Sequence, residues 1–506
     1  MEKVKKILGV SFTLFMFIIL VGCSKEDEIV KIPNNEIPDL HFRDYLLKNF
    51  DHDLDGFIST GEAKLIKEIN INDNDNITSL QGIEFFTSLE RLNISGLWRI
   101  TDLDLSKNTE LTVLNCSHIS SLNEINLDLT QNIKLKELYC EGTYAKILNL
   151  SSNTELKVLN CSGNALETLD LKNNTKLEIL DCSRNMLETL DLLKNNNLKV
   201  INISDNHLLY RKSFNLSDFR NLEEFYCNMD INDLSISSVP LRVLNVSHVI
   251  NFNITNLSDL EMLSIKGFGG SNGSETLDLT KSAKLKYLNC DYINCKVNLS
   301  NCTVLEELYW GSTHEIDISK NKLLKTLYYS CDNDLDISNN TALETLHSLS
   351  FNTKILSFKN NTSLKNVLIC MKDNENYDFS SNTLLENLFL KGFRDGEIFH
   401  SPIFDISNCK NLIDLTVYTC DIDKFDLKQC SKLKKVYIED FLNLEMINAA
   451  GLQNLESFES KSYSTKSLEA DFSNCVKLKN LYLTNKIKSL NLTGCTSLEG
   501  WDQYPR

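Results

Sequence analysis

The densest chemistry in the sequence is a run of oxygen donors, Asp51-His52-Asp53-Leu54-Asp55-Gly56-Phe57-Ile58-Ser59-Thr60-Gly61-Glu62. Asp51, Asp53 and Asp55 offer carboxylates on alternate residues. Phe57 offers a backbone carbonyl, Ser59 a hydroxyl that holds a water, and Glu62 a carboxylate that closes the ring with both oxygens. Gly56 permits the sharp turn that brings these groups round one point. Oxygen donors alone suit a hard cation with many contacts, so the expected metal is calcium and not zinc. A second set of residues carries recognition chemistry. Tyr309, Tyr328, His347, Leu368, Phe389, Tyr437 and Tyr482 recur at one place behind a leucine. Aromatic side chains in a row are the usual material of interface hot spots, and they also stack on sugar rings. The plain alternative is that aromatic residues simply suit strands.

Elements must position both sets. The acidic stretch resembles the EF-hand calcium loop at every constrained position, with Ile58 where paired hands join a short strand. Leu40, Tyr45, Leu46, Leu47 and Phe50 give an apolar side for an entering helix, and 62–69 is expected as the leaving helix. One such loop is evident, whereas calcium sensors usually pair two. The site therefore reads as a structural clip of weak extracellular affinity, on the order of 10⁻⁴–10⁻³ M. An acidic turn that binds nothing is the other reading.

From Leu89 onward one frame repeats twenty times. Its cleanest copy is Leu156-x-x-Leu159-x-Cys161-x-x-Asn164-x-Leu166, and the next begins at Leu177, 21 residues later. This period and pattern are the signature of a leucine-rich repeat solenoid. The expected fold is an α/β-type superhelix with a parallel β-sheet on its concave face and a helical EF-hand-like cap. At about 4.8 Å per coil the sheet would run roughly 95 Å. A solenoid also explains how 506 residues avoid one oversized core, since each coil packs only on its neighbours. The helix–loop–helix is placed to hide the first coil's open edge. Inserted loops are expected at 267–270 and 392–402, where the spacing loosens.

Within each frame the leucines point inward and Cys116, Cys140, Cys161, Cys182, Cys227 and Cys290 share the third inward site. Asn108, Asn153, Asn174 and Asn195 follow a second motif on the return half, and Cys302, Cys409, Cys430, Cys475 and Cys495 take that same corner. Like sites stacked with parallel Cβ vectors favour free thiols over disulfides. The outward slot between the second and third inward residues carries Asn93, Asn115, Tyr139, Asn160, Asp181, Asn202, Tyr226, Asn245 and Asn289 before the aromatic row. The Asn-x-Ser triplets, such as Asn93-Ile94-Ser95, read as by-products of the repeat.

The 21-residue step with strand cysteines resembles the internalin-type leucine-rich repeat proteins of bacterial surfaces, in particular their cysteine-ladder subgroup. The resemblance covers about Leu80 to Trp501 and implies a curved solenoid used for adhesion or protein recognition. The start of the chain departs from it. Lys3, Lys5 and Lys6, an apolar run from Ile7 to Val21, and Gly22-Cys23 resemble a bacterial lipoprotein signal, with Cys23 acylated. The expected organisation is a signal peptide at 1–22, an acylated tether at 23–37, the cap at 38–79 and the solenoid at 80–506. The expected location is the outer membrane, surface-exposed, with the chain held by its N-terminal lipid and not spanning the bilayer.

Charge narrows the partners. A net charge of −17 without a basic cluster argues against nucleic acid. Neither a nucleophile elbow, nor a paired-histidine zinc motif, nor a phosphate-cradling glycine loop occurs, so catalysis is not expected. The expected partner is an extracellular protein or glycan. The runner-up function is a glycan- or peptide-capturing accessory of a nutrient-uptake complex.

Overall fold

The computed structural model describes residues 30–503, apart from 72–75, 101–102, 120–126, 207–208, 210–211, 268–275, 373–374, 393, 396–397, 400–402, 421, 442 and 462–465. The signal peptide, Cys23 and most of both expected insertions lie outside these residues. Among the described residues no helix is long and apolar enough to cross a membrane.

The leucine frame becomes a 22-stranded sheet whose coil-to-coil pairings are all parallel. Each frame contributes one strand. In the first coils these are three residues long, as at Arg91–Asn93, Val158–Asn160 and Ile179–Asp181. The frame's leucines alternate inward. Leu156, Leu159, Leu177 and Leu180 have no solvent exposure, and each such burial contributes roughly 1.5–3 kcal/mol. Where the spacing loosens the register does not. Met262–Lys266 pairs directly with Tyr287–Asp291, and Asn387–Lys391 with Asp414–Tyr418, so the surplus residues leave the sheet.

The corner asparagines form a ladder. Asn174 donates through Nδ2 to the carbonyls of Leu150 (3.1 Å) and Asn153 (2.9 Å), and Asn195 does the same one coil on. Among the described residues the Oδ1 atoms of Asn174 and Asn195 have no hydrogen-bond partner. The corner therefore requires only a donor. That explains the cysteines that replace asparagine: Cys409 Sγ donates to the Phe379 carbonyl at 3.5 Å and Cys475 Sγ to that of Ala449 at 3.1 Å. A second ladder runs through the early coils at Asn164, Asn185 and Asn206.

The strand cysteines are buried side by side, and no disulfide joins the described cysteines. Burial pushes the Cys116 thiol up to about 12 and the Cys161 thiol well above its ordinary value, so neither forms a reactive thiolate at neutral pH. In two later coils the same inward site holds Trp310 and Tyr329. Each ring is buried and turns its polar tip to a carbonyl four residues on, at His314 (3.1 Å) and Asn333 (3.1 Å).

Just before the strands runs a column of charges whose sign alternates from coil to coil: Glu223, Arg242, Glu261, Lys286, Glu306, Lys325, Glu344 and Lys365. Ion pairs link neighbours along it, with Arg242–Glu261 at 3.1 Å, Lys325–Glu306 at 2.8 Å and Lys365–Glu344 at 2.8 Å.

The cap departs from expectation in two places. Helix α1, Leu40–Phe50, buries Phe42 and Leu46 but leaves Leu40 exposed. Helix α2 is short, Thr60–Leu65, because Ile66 is already extended. Glu68–Asn70 is instead a strand in parallel register with Arg91–Asn93, and its Ile69 is fully buried. The cap and the first coil therefore share one sheet.

Candidate functional site

The acidic loop joins the two helices. Asp39 caps α1, accepting from the amides of His41 and Phe42 at 2.9 Å, and its other oxygen accepts from Thr78. Ser59 caps α2 in a capping box with Glu62. Between these anchors the loop closes. Asp51 accepts from the Gly56 amide at 3.0 Å, and Gly56 takes φ 82, a left-handed conformation that favours glycine. One carboxylate oxygen from each of Asp51, Asp53 and Asp55 lies within 4.8 Å of the others. Glu62 is turned onto the amides of His52 (2.8 Å) and Ser59 (2.9 Å). Burial opposes its ionisation, but those two hydrogen bonds hold its carboxyl below the usual range. Phe57 and Ser59 follow in the loop, with Ser59 Oγ 2.8 Å from Glu62.

Ile58 finds a partner that the sequence reading did not anticipate. The segment at 30–32 runs antiparallel to it: Ile32 donates to the Ile58 carbonyl and Thr60 to that of Val30, both at 2.9 Å. This segment stands where a second hand would pair. It also carries Lys31, whose ammonium lies 2.7 Å from Asp55 and 4.6 Å from the Phe57 ring centre. The hydrogen bond from Lys31 holds the Asp55 carboxyl below its ordinary value.

The outward slot can be followed strand by strand through the register. Its occupants from Asn289 are Tyr309, Tyr328, His347, Leu368 and Phe389, then Thr416, Tyr437, Glu459 and Tyr482. The expected row therefore runs over the five coils from Tyr309 to Phe389, aromatic except at Leu368, and is interrupted beyond them by Thr416 and Glu459. These side chains point outward yet are half-buried, with ring-on-ring contacts from Tyr309 to His347. Tyr309 and Tyr328 stack at 4.4 Å and 9°, and His347 meets Tyr328 edge-on at 4.4 Å. Among the described residues neither tyrosine hydroxyl has a hydrogen-bond partner. Burial, with Tyr287 and Tyr328 alongside, pushes the Tyr309 hydroxyl up to about 12, and burial lowers His347. The strands' first positions hold Thr326, Thr345, Asn366 and Asn387 along the middle of the row, with one charge near each end, Glu307 in the strand of Tyr309 and Lys391 in that of Phe389.

Two rings escaped the sequence reading. Tyr287 packs on Tyr309 at 5.5 Å from the strand's first position. Tyr418 sits at the fifth position and links Phe389 (5.5 Å) to Tyr437 (5.4 Å). Tyr437 is further tied to Glu439 and to Lys461, whose ammonium lies over its ring.

In the early coils the same slot is committed to the fold. Asn93, Asn115, Asn160, Asp181 and Asn202 each accept from the amide two residues on, at 3.0–3.2 Å. Their remaining groups bridge coils, as in Asn93 to Asn70 (2.8 Å) and Asn202 to Asp181 (3.0 Å). Tyr139 and Tyr226 are buried with their hydroxyls on Glu137 and Glu224. Aspartates on the return half do similar local work: Asp104, Asp170 and Asp317 each cap an amide two residues on.

No protein-family model matches the chain, and no curated protein matches it. Solved structures do. The functional domain of InlJ from Listeria monocytogenes, which includes a cysteine ladder, aligns with a TM-score of 0.57 at 23% identity, over 78% of this chain and 82% of that one. A leucine-rich repeat protein of Leptospira interrogans aligns at 14% identity with a TM-score of 0.44, over 82% and 97%. The ectodomain of the Arabidopsis thaliana receptor kinase GASSHO1/SCHENGEN3 gives 16% and 0.47, over 86% and 70%. The likeness to InlJ concerns the fold and agrees with the register above: the chain is a leucine-rich repeat solenoid with a parallel sheet and a short helical cap.

Proposed function

We propose that this chain is a non-catalytic binding protein that recognises an extracellular protein through the row Tyr309–Tyr328–His347–Leu368–Phe389. The observation that carries the reading is the contrast within one slot. Upstream, polar side chains are consumed by the backbone and by one another; here, stacked rings leave the Tyr309 and Tyr328 hydroxyls unengaged among the described residues. Partly buried aromatics at the centre of a rigid face are the pattern of interface hot spots. Protein ranks above glycan because a sugar stacks on a free ring face, and Tyr309 and Tyr328 cover one another's. The test is capture of surface proteins by the wild-type chain and by a variant carrying Tyr309→Ala and Tyr328→Ala. Unchanged capture by a variant with an unchanged circular dichroism spectrum removes the reading.

The same proposal places the chain at the outer membrane, held by acylated Cys23 and facing outward, where such partners are met. It also assigns calcium to Asp51, Asp53, Asp55, the Phe57 carbonyl, Ser59 and Glu62. The donor set supports this: three carboxylates already converge, and the loop's hydrogen bonds hold the turn. Binding there would rigidify the joint between the cap and the first coil. At ten times the dissociation constant, calcium adds about 1.4 kcal/mol to the unit it holds. A chelator should therefore lower the melting temperature of the N-terminal unit, and no shift would remove the site.

A further inference from the structure

The segment at 30–32 places a lysine where the calcium loop gathers its charge. It is held there by backbone hydrogen bonds on both sides of Lys31, from the Ile32 amide to the Ile58 carbonyl and from the Thr60 amide to the Val30 carbonyl. The ammonium lies 4.6 Å from the centre of the Phe57 ring and reaches Asp55 Oδ2 at 2.7 Å. Asp55 is the loop's fifth position, a ligand in the calcium reading. Without a metal, three carboxylates with oxygens within 4.8 Å of one another repel, and a cation nearby relieves that repulsion. The charges of Asp53 and Asp51 also act on Lys31, so the ammonium answers to the whole cluster.

We propose that Lys31 is a tethered competitor for the metal, an ammonium that occupies an oxygen of the calcium ligand Asp55 and must leave before calcium can take it. The proposal rests on the calcium reading and deepens it by naming the residue that sets affinity. Calcium needs Asp55 unshared, because each ligand oxygen replaces part of its hydration shell. The competitor is fixed to the loop by backbone pairing, so its local concentration is high and does not depend on solution conditions. The lysine therefore raises the calcium concentration at which the site fills. It also makes filling a local rearrangement, in which Lys31 swings away from Asp55 while the pairing of Ile32 with Ile58 remains.

The test is calcium titration by calorimetry on the full chain and on two variants. Lys31→Met keeps an unbranched side chain and removes the ammonium. Lys48→Met removes an equal charge from the exposed last turn of α1, where no ion pair to the loop carboxylates occurs among the described residues. Lys31→Met should bind calcium roughly two- to fivefold more tightly, the range of an exposed ion pair, with Lys48→Met close to wild type. If the wild type binds calcium and both variants shift equally, or neither does, the competitor is overturned while the site stands. If none of the three takes up millimolar calcium, the site itself is wrong and the competitor falls with it.

Discussion

The coils from Leu89 to Leu198 and those from Leu260 onward follow one frame, yet their sheets are built differently. The early strands are three residues long; the later ones are four or five, as at Thr326–Tyr329 and Asn387–Lys391. The outward residue makes much of the difference. In the early coils an asparagine or aspartate there captures the amide two residues on and turns the chain, as Asn160 and Asp181 do, whereas Asn289 makes the same bond within a five-residue strand. Tyr328, His347 and Phe389 make no such bond among the described residues, and the backbone continues in ladder pairing with the next coil. Tyr139 shows that the neighbours matter too, for its strand stays short between asparagine coils and its hydroxyl is held by Glu137. Between the two regions the strands Glu224–Ser237 and Val243–Thr255 run on from the main sheet through a register shift at Ser247/Val249. The early coils spend their polar groups on rigidity, and the later ones leave a surface for something else.

The contrast can be broken most forcefully in the core. Trp310→Cys restores the early-coil residue but empties a site shaped for an indole. It should cost about 3–5 kcal/mol, read as a lowered urea midpoint for the later coils. The corner ladder comes next. Asn174→Ala removes two hydrogen bonds to carbonyls that keep the Asn153 and Leu156 amides as donors, and should cost about 1–3 kcal/mol, whereas Cys409→Ala loses one weak donor and should cost less. If the two prove equal, the donor argument fails. For recognition, the double alanine variant at Tyr309 and Tyr328 should weaken partner binding about thirtyfold or more in surface plasmon resonance, near 2 kcal/mol. Asn160→Ala with Asn202→Ala should change that affinity little while lowering stability. The smallest effect concerns acidity. Burial holds His347 below its ordinary 6.5, so the folded state takes up fewer protons than the unfolded one. The stability this site contributes is present above pH 6.5 and is lost as pH falls through the lowered value, a trend that His347→Phe should abolish.

Much of this organisation was legible in the chain. The leucine period set the coils, and the shared corner of asparagine and cysteine was visible because one physical demand, a donor at a bend, recurs at fixed spacing. The aromatic row was legible as a list but not as a surface. Thr416 and Glu459 stand in the same frame and break it, while Tyr418 rejoins it from another column. The self-bonding of Asn93 or Asn160 was hidden because an outward amide looks the same whether it faces a ligand or its own backbone. Strand Glu68–Asn70 carried an apolar pattern compatible with helix, and only pairing with Arg91–Asn93 decided it. Lys31 gave no signal, since its approach to Asp55 depends on antiparallel pairing between distant segments.

The alternating column from Glu223 to Lys365 has a bearing on how such a chain grows or shrinks. Excising the single coil that carries Lys325 would set Glu306 beside Glu344, like against like. Excising that coil together with the next would set Glu306 beside Lys365, and attraction would be restored. In this stretch the molecule tolerates loss or duplication best by even steps, so its length obeys a parity rule written in charge.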